Sequence, residues 1–158
     1  MLHMEKWFPA DSMTIMIVDD TKENINVLRR TLTTVGCRIS VALNGKMALD
    51  LIPKLKPDLV LLDVMMPDMD GYEVCRRLKE NPDLQNIPVI FITAKGDIED
   101  VVEGFEAGAV DFIMKPFRQE EVLARVRTHL TLSAALKKLI QDSETDPLTG
   151  LFNRRTFM

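Results

Sequence analysis

Five side chains follow apolar runs at positions where their chemistry would combine. Asp19 and Asp20 come directly after TIMIV, Asp63 after DLVLL, and Lys115 after DFIM, while Thr93 ends PVIFIT. Three carboxylates brought together repel, and without compensation at least one takes up a proton. A hard divalent cation is the natural compensator. Mg²⁺ takes oxygen ligands, keeps several waters and commonly sits with one or two carboxylates plus phosphate. An ammonium and a hydroxyl beside it could hold the three oxygens of a phosphoryl group. One carboxylate can then be the acceptor, forming an aspartyl-phosphate. Asp63 is the best candidate, since it stands alone at the end of the most apolar run, whereas the adjacent Asp19 and Asp20 are better placed to hold the metal. Taken singly, each has a plainer use. Asp20 could cap a helix, Asp63 could be a turn residue, Thr93 could be β-branched filler, and Lys115 a solvated charge before a proline. Their joint placement favours the site.

The elements that must position these residues are legible as alternating runs. Thr14–Val18, Arg38–Ala42, Asp58–Leu62, Pro88–Thr93 and Asp111–Met114 read as strands, three of them almost continuously apolar, as parallel strands covered on both faces are. Helical spacing lies between them. It runs over Glu23–Val35 before Gly36, from Asn44 through Ile52 with Pro53 and Pro57 closing, and over Tyr72–Lys79. It also runs over Asp97–Ala107, with Ile98, Val101, Val102 and Phe105 expected inward, and from Gln119 to about Glu144. Five strands alternating with five helices predict an α/β fold with a doubly wound parallel sheet. In such sheets ligands bind outside the carboxyl ends of the strands, where strand order reverses. All five residues fall on that edge. The last helix is longer than a closing helix needs to be. Leu132, Leu136 and Leu139, flanked by His129 and Ser143, are spaced either as a short coiled-coil seam or as a helix end lying on its own domain.

Composition narrows the class. The 158 residues carry 20 Lys+Arg against 24 Asp+Glu, a formal net charge of -4, which argues against direct nucleic-acid binding. At 46% hydrophobic and 28% charged, the chain is neither disordered nor fibrous. No apolar run is long enough to span a membrane, and MLHMEKWFPADS has no secretory core. Cys37 and Cys75 make no disulfide framework and lack metal-ligand spacing. A cytoplasmic protein is expected. None of the seven glycines forms a phosphate-cradling loop, so a nucleotide-binding module is disfavoured. A Mg²⁺-dependent phosphatase with an Asp nucleophile remains an alternative. It lacks support because Asp19 is followed by Asp20 and Thr21, not by a general acid two residues on.

Asp19-Asp20, Asp63 followed by Met-Met-Pro67 and Gly71, Thr93-Ala94 and Lys115-Pro116-Phe117 together resemble the receiver domain of bacterial response regulators. So do LLDVMMPDMDGYEVCRRLK and FEAGAVDFIMKPF. The resemblance implies a flavodoxin-like sheet of order 2-1-3-4-5 and residues 13–131 as the receiver. It implies that Asp63 accepts a phosphoryl group from a sensor histidine kinase or phosphotransfer protein. Mg²⁺ would be held by Asp19, Asp20, Asp63 and the backbone carbonyl of Met65. Lys115 would pair with the phosphate or Asp63, Thr93 would move to the phosphate, and Phe112 would follow it inward. The Lys115–Pro116 bond would be cis. Phe112 stands where many members carry Tyr, so that aromatic has no hydroxyl, and Val110 replaces an acid common before the last strand. Met65 and Lys95 occupy positions that influence phosphate lifetime. DPLTGLFNRRTF resembles the opening of a GGDEF-type diguanylate cyclase domain. By that resemblance, residues 132–145 would be a linker helix and 146–158 the truncated start of an output domain, with the cyclase's own catalytic part absent. A homodimer formed on phosphorylation is the expected assembly. The receiver alternative is a stand-alone domain acting by protein–protein interaction.

Overall fold

The computed structural model describes residues 9–94 and 96–145. Lys95 and the DPLTGLFNRRTF motif lie outside them. Short 3₁₀ turns at Ala10–Ser12 and Thr33–Val35 accompany ten regular elements. These are β1 (Thr14–Val18), α1 (Lys22–Leu32), β2 (Arg38–Ala42), α2 (Gly45–Leu55), β3 (Leu59–Leu62), α3 (Gly71–Glu80), β4 (Val89–Thr93), α4 (Ile98–Glu106), β5 (Asp111–Met114) and α5 (Gln119–Thr145). The five strands are parallel, in the order β2-β1-β3-β4-β5, the doubly wound, flavodoxin-like arrangement expected. Strand order reverses between β1 and β3, where Ile15 pairs with Leu59 and Val18 with Leu62.

The near-continuous apolar strands are explained by their two covered faces. Alternate residues point to opposite sides, so Met16, Val18, Val60, Leu62 and Phe91 join the layer with α2, α3 and α4. Their neighbours Ile15, Ile17, Leu59, Leu61, Ile90 and Ile92 join the layer with α1 and α5. Side-chain caps start two helices: Asn44 Oδ1 accepts from the Met47 N–H at 2.8 Å, and Asp70 Oδ1 from the Glu73 N–H at 3.0 Å. Among the described residues no helix is long and apolar enough to cross a membrane.

Two expectations are corrected here. Pro53 does not close α2 but lies inside it; the helix runs on to Leu55 and ends where Lys56 turns left-handed at φ 46°. In α4, Ile98, Val102 and Phe105 do not point inward but are exposed, Ile98 at 80%. The helix instead lays Gly104 against the sheet, with Val101 partly buried beside it. A Cβ at Gly104 would stand 2.9 Å from Phe112 Cε2 and 3.1 Å from Phe91 Cδ2, so the missing side chain lets the helix axis come close. Close approach at one glycine rotates the apolar face outward. The plainer use of Asp20, as a helix cap, is not taken up, since the N-cap of α1 is Thr21.

The inner face of α5 carries Val122, Val126 and Leu130, all fully buried. Leu132, Leu136 and Leu139 lie on another face and are exposed. Side-chain ties hold the helix to the domain. Arg125 Nη1 donates to both Asp111 oxygens, at 2.8 and 3.0 Å, and His129 Nε2 lies 3.1 Å from Asp111 Oδ2. Burial alone would raise the Asp111 carboxyl, but the Phe112 N–H, Arg125 and His129 hold it below the usual carboxylate range. Further along, Lys137 Nζ bonds Asp58, which also accepts from the Thr14 N–H at 2.8 Å. The helix beyond Leu130 is thus fastened to the amino edge of the sheet, opposite the edge where Asp63 lies.

Candidate functional site

Asp19, Asp20, Asp63, Thr93 and Lys115 lie at the carboxyl edge of the sheet, at or just past the ends of β1, β3, β4 and β5. The Asp19 N–H donates to the Ala42 carbonyl at 3.2 Å, and the Asp63 N–H to the Val18 carbonyl at 2.9 Å, so ladder-like bonds continue past the strand ends and fix both acids. The Lys115 N–H likewise donates to the Thr93 carbonyl at 2.9 Å. Thr93 itself is fully buried at the end of β4. Lys115–Pro116 is cis.

Asp19, Asp20 and Asp63 each place a carboxylate oxygen within 4.8 Å of the other two. Asp19 and Asp63 are buried and Asp20 is exposed. Lys115 Nζ bridges the buried pair, 3.2 Å from Asp63 Oδ2 and 3.4 Å from Asp19 Oδ2. The Thr21 N–H donates to Asp19 Oδ1 at 2.8 Å, and the Met65 N–H to Asp63 Oδ1 at 3.2 Å. Asn24 Nδ2 also reaches Asp19 Oδ2, at 3.3 Å. Asn24 was not among the predicted residues; its only signal is a polar amide in the first turn of the helix after the acid pair.

Burial pushes the Asp63 carboxyl above its ordinary value and the Asp19 charge adds to this, against the pull of Lys115 and the Met65 N–H. Three acids against one ammonium give the cluster a formal excess of two negative charges when all are ionised. Hard oxygen donors, close spacing and that excess fit a small divalent cation with waters completing its shell. The donor set offers no nitrogen or sulfur, which would be expected for zinc.

Phe112 stands on β5. Its ring is already buried, 5.7 Å from Phe91 and 6.5 Å from Phe105 between ring centroids. It occupies the recess that Gly104 leaves open, and area burial alone holds it there. Met65, the residue two after Asp63, is 57% exposed at the mouth of the site.

The comparisons with known proteins point one way. A family model described as the response regulator receiver domain matches residues 15–127. The chain is 47% identical over 117 residues to the Vibrio cholerae protein named "Probable cyclic di-GMP phosphodiesterase", covering 74% of this chain and 26% of that protein. It is 41% identical over 130 residues to response regulator PleD of Caulobacter vibrioides, covering 82% of this chain and 29% of PleD. The chain therefore spans less than a third of the length of these relatives. Among solved structures, the receiver domain of a histidine kinase from Syntrophus aciditrophicus superposes with a TM-score of 0.71 at 39% identity, covering 76% of this chain and 91% of that one.

Proposed function

The chain belongs to the response regulator receiver family, and from that premise we propose that Asp63 is its phosphoryl acceptor. The partner is a histidine kinase or a phosphotransfer protein. One Asp63 carboxylate oxygen attacks the phosphorus of the partner's phosphohistidine. The new O–P bond forms as the P–N bond breaks, and the bonding pair leaves on the imidazole. The Lys115 ammonium neutralises charge on the arriving phosphoryl oxygens, and the Thr93 hydroxyl donates to one of them. Asp19, Asp20, Asp63 and the Met65 carbonyl would hold Mg²⁺, which supplies further charge neutralisation when bound. The observation that carries this reading is the triad of carboxylates within 4.8 Å with Lys115 bonded to its two buried members.

Incubation with acetyl phosphate and Mg²⁺ tests it. Intact-mass analysis should show one phosphoryl adduct, and EDTA should slow its formation at least about tenfold. Uptake at the same rate in EDTA would contradict the metal's role. Multiple turnover on an added phosphate ester would instead favour a phosphatase.

The output we infer is a cyclic di-GMP enzyme in the cytoplasm. The DPLTGLFNRRTF motif favours a diguanylate cyclase, and the Vibrio cholerae relative's name supports the same second messenger. Control would pass through α5, whose exposed Leu132, Leu136 and Leu139 offer a pairing seam continuous with the receiver. Shifting such a pair from mostly monomer to mostly dimer asks for about 3–5 kcal/mol of differential stabilisation. Beryllofluoride, standing in for the phosphoryl group on Asp63, should raise the dimer fraction in sedimentation runs, and Leu136→Glu should suppress the rise. An oligomeric state unchanged by the mimic would rule out pairing driven from this site.

A further inference from the structure

We propose that Tyr72 is a positioning residue whose hydroxyl ties α4 to the acceptor loop, so that α4 follows the state of Asp63. This rests on the reading of Asp63 as the acceptor. The tie itself is seen directly: Tyr72 Oη donates to the Asp100 carbonyl in the first turn of α4, at 3.0 Å. Tyr72 is almost fully buried, and its ring meets the Phe91 ring edge-on with centroids 5.4 Å apart.

Two features make this bond matter. First, α4 is held thinly. Gly104 is its one fully buried residue, its large apolar side chains Ile98, Val102 and Phe105 are exposed, and Asp97 makes no side-chain cap bond. Beside Val101 and the exposed Arg76–Glu103 ion pair at 3.9 Å, the buried Tyr72 bond therefore matters for placing the first turn of the helix. Second, the other end of the tie starts at the acceptor. Gly71, the residue before Tyr72, donates its N–H to the Val64 carbonyl at 2.8 Å. The Gly71 backbone lies so close to the acceptor that a Cβ there would stand 2.3 Å from the Asp63 carbonyl oxygen. Two hydrogen bonds, Gly71 N–H to the Val64 carbonyl and Tyr72 Oη to the Asp100 carbonyl, with the 63–64 and 71–72 peptide links, thus connect the backbone at Asp63 to the backbone of α4. Any displacement of the segment after Asp63 moves the Tyr72 hydroxyl with it.

The hydroxyl is a dependable donor. Burial, with the acids at 100, 103 and 70, pushes the phenol up to about 12, so it stays un-ionised. Phe112 has no hydroxyl and already lies inward on Phe91. In this chain the polar half of the coupling falls to α3 rather than to β5.

Amide exchange read by peptide mass, with and without beryllofluoride, tests the proposal on wild type and Tyr72→Phe. The variant keeps the ring and loses only the hydroxyl. Without the mimic, exchange over residues 98–106 should quicken about three- to tenfold in the variant, the worth of one hydrogen bond. With the mimic, wild-type residues 98–106 should change their exchange together with residues 63–71. In the variant, residues 63–71 should still respond, uptake from acetyl phosphate should persist, and residues 98–106 should not follow. An α4 response equal in the two proteins overturns the proposal, and so does acceleration spread into β1 and β3, which would mark general loosening. If wild type forms an adduct but α4 stays silent, the coupling alone fails; if no adduct forms, the acceptor reading fails first and the coupling with it.

Discussion

Asp63→Asn should abolish phosphoryl uptake, taking the adduct fraction from near complete to undetectable. The amide is nearly isosteric. Its oxygen can still accept from the Met65 N–H, so the loop after β3 has no reason to collapse. What disappears is the nucleophile, since a neutral amide cannot form the acyl phosphate. Removing one of three crowded carboxylates also relieves their repulsion, so the variant should melt no lower than wild type. Asp20→Asn should behave differently. Asp20 is exposed and touches neither buried acid through Lys115, so its loss should slow metal-dependent uptake without erasing it. Intact mass after acetyl phosphate distinguishes the two variants. A persistent single adduct in Asp63→Asn would move the acceptor elsewhere.

Gly71→Ala should damage both stability and uptake. The added methyl would meet the Asp63 carbonyl oxygen at 2.3 Å and Val64 Cα at 2.9 Å, both backbone atoms that cannot swing aside as a side-chain tip can. The segment between β3 and α3 must shift, at a cost of about 1–3 kcal/mol for such overpacking. That shift displaces the backbone that aims the Asp63 carboxylate, and a small misplacement of a reacting group can cost up to about a hundredfold in rate. A lowered melting temperature together with uptake slowed at least about tenfold is therefore expected. A variant that melts like wild type and loads at the wild-type rate would show that this contact is not rigid.

The strands and their ends were readable because burial on both faces leaves little choice of residue: LVLL is wholly apolar and TIMIV and VIFIT are apolar but for one terminal threonine each, and Asp63, Asp19 and Thr93 mark the carboxyl edge. From those ends Asp19, Asp20, Asp63, Thr93 and Lys115 could be set on one edge before any contact was seen. The face of α4 was not readable, because an apolar stripe says which residues share a side but not which side meets the sheet. Gly104, with no side chain to signal burial, decided it. Asn24 and Tyr72 escaped notice for a related reason. Their roles depend on one hydrogen bond each to a group outside their own helix, and no spacing rule announces such a bond. The Asp111–Arg125–His129 cluster is similar: its i, i+4 pair on α5 is visible in sequence, but its carboxylate partner comes from β5.

The central claim is that the acyl phosphate forms on Asp63 and on no other acid of the cluster. The chain would be loaded with acetyl phosphate and Mg²⁺, treated with borohydride to reduce any acyl phosphate to the corresponding alcohol, digested and mapped by peptide mass. Homoserine at position 63 alone is the predicted result. Homoserine at position 19 or 20, or none at position 63 in a chain that carries the adduct, would contradict the account.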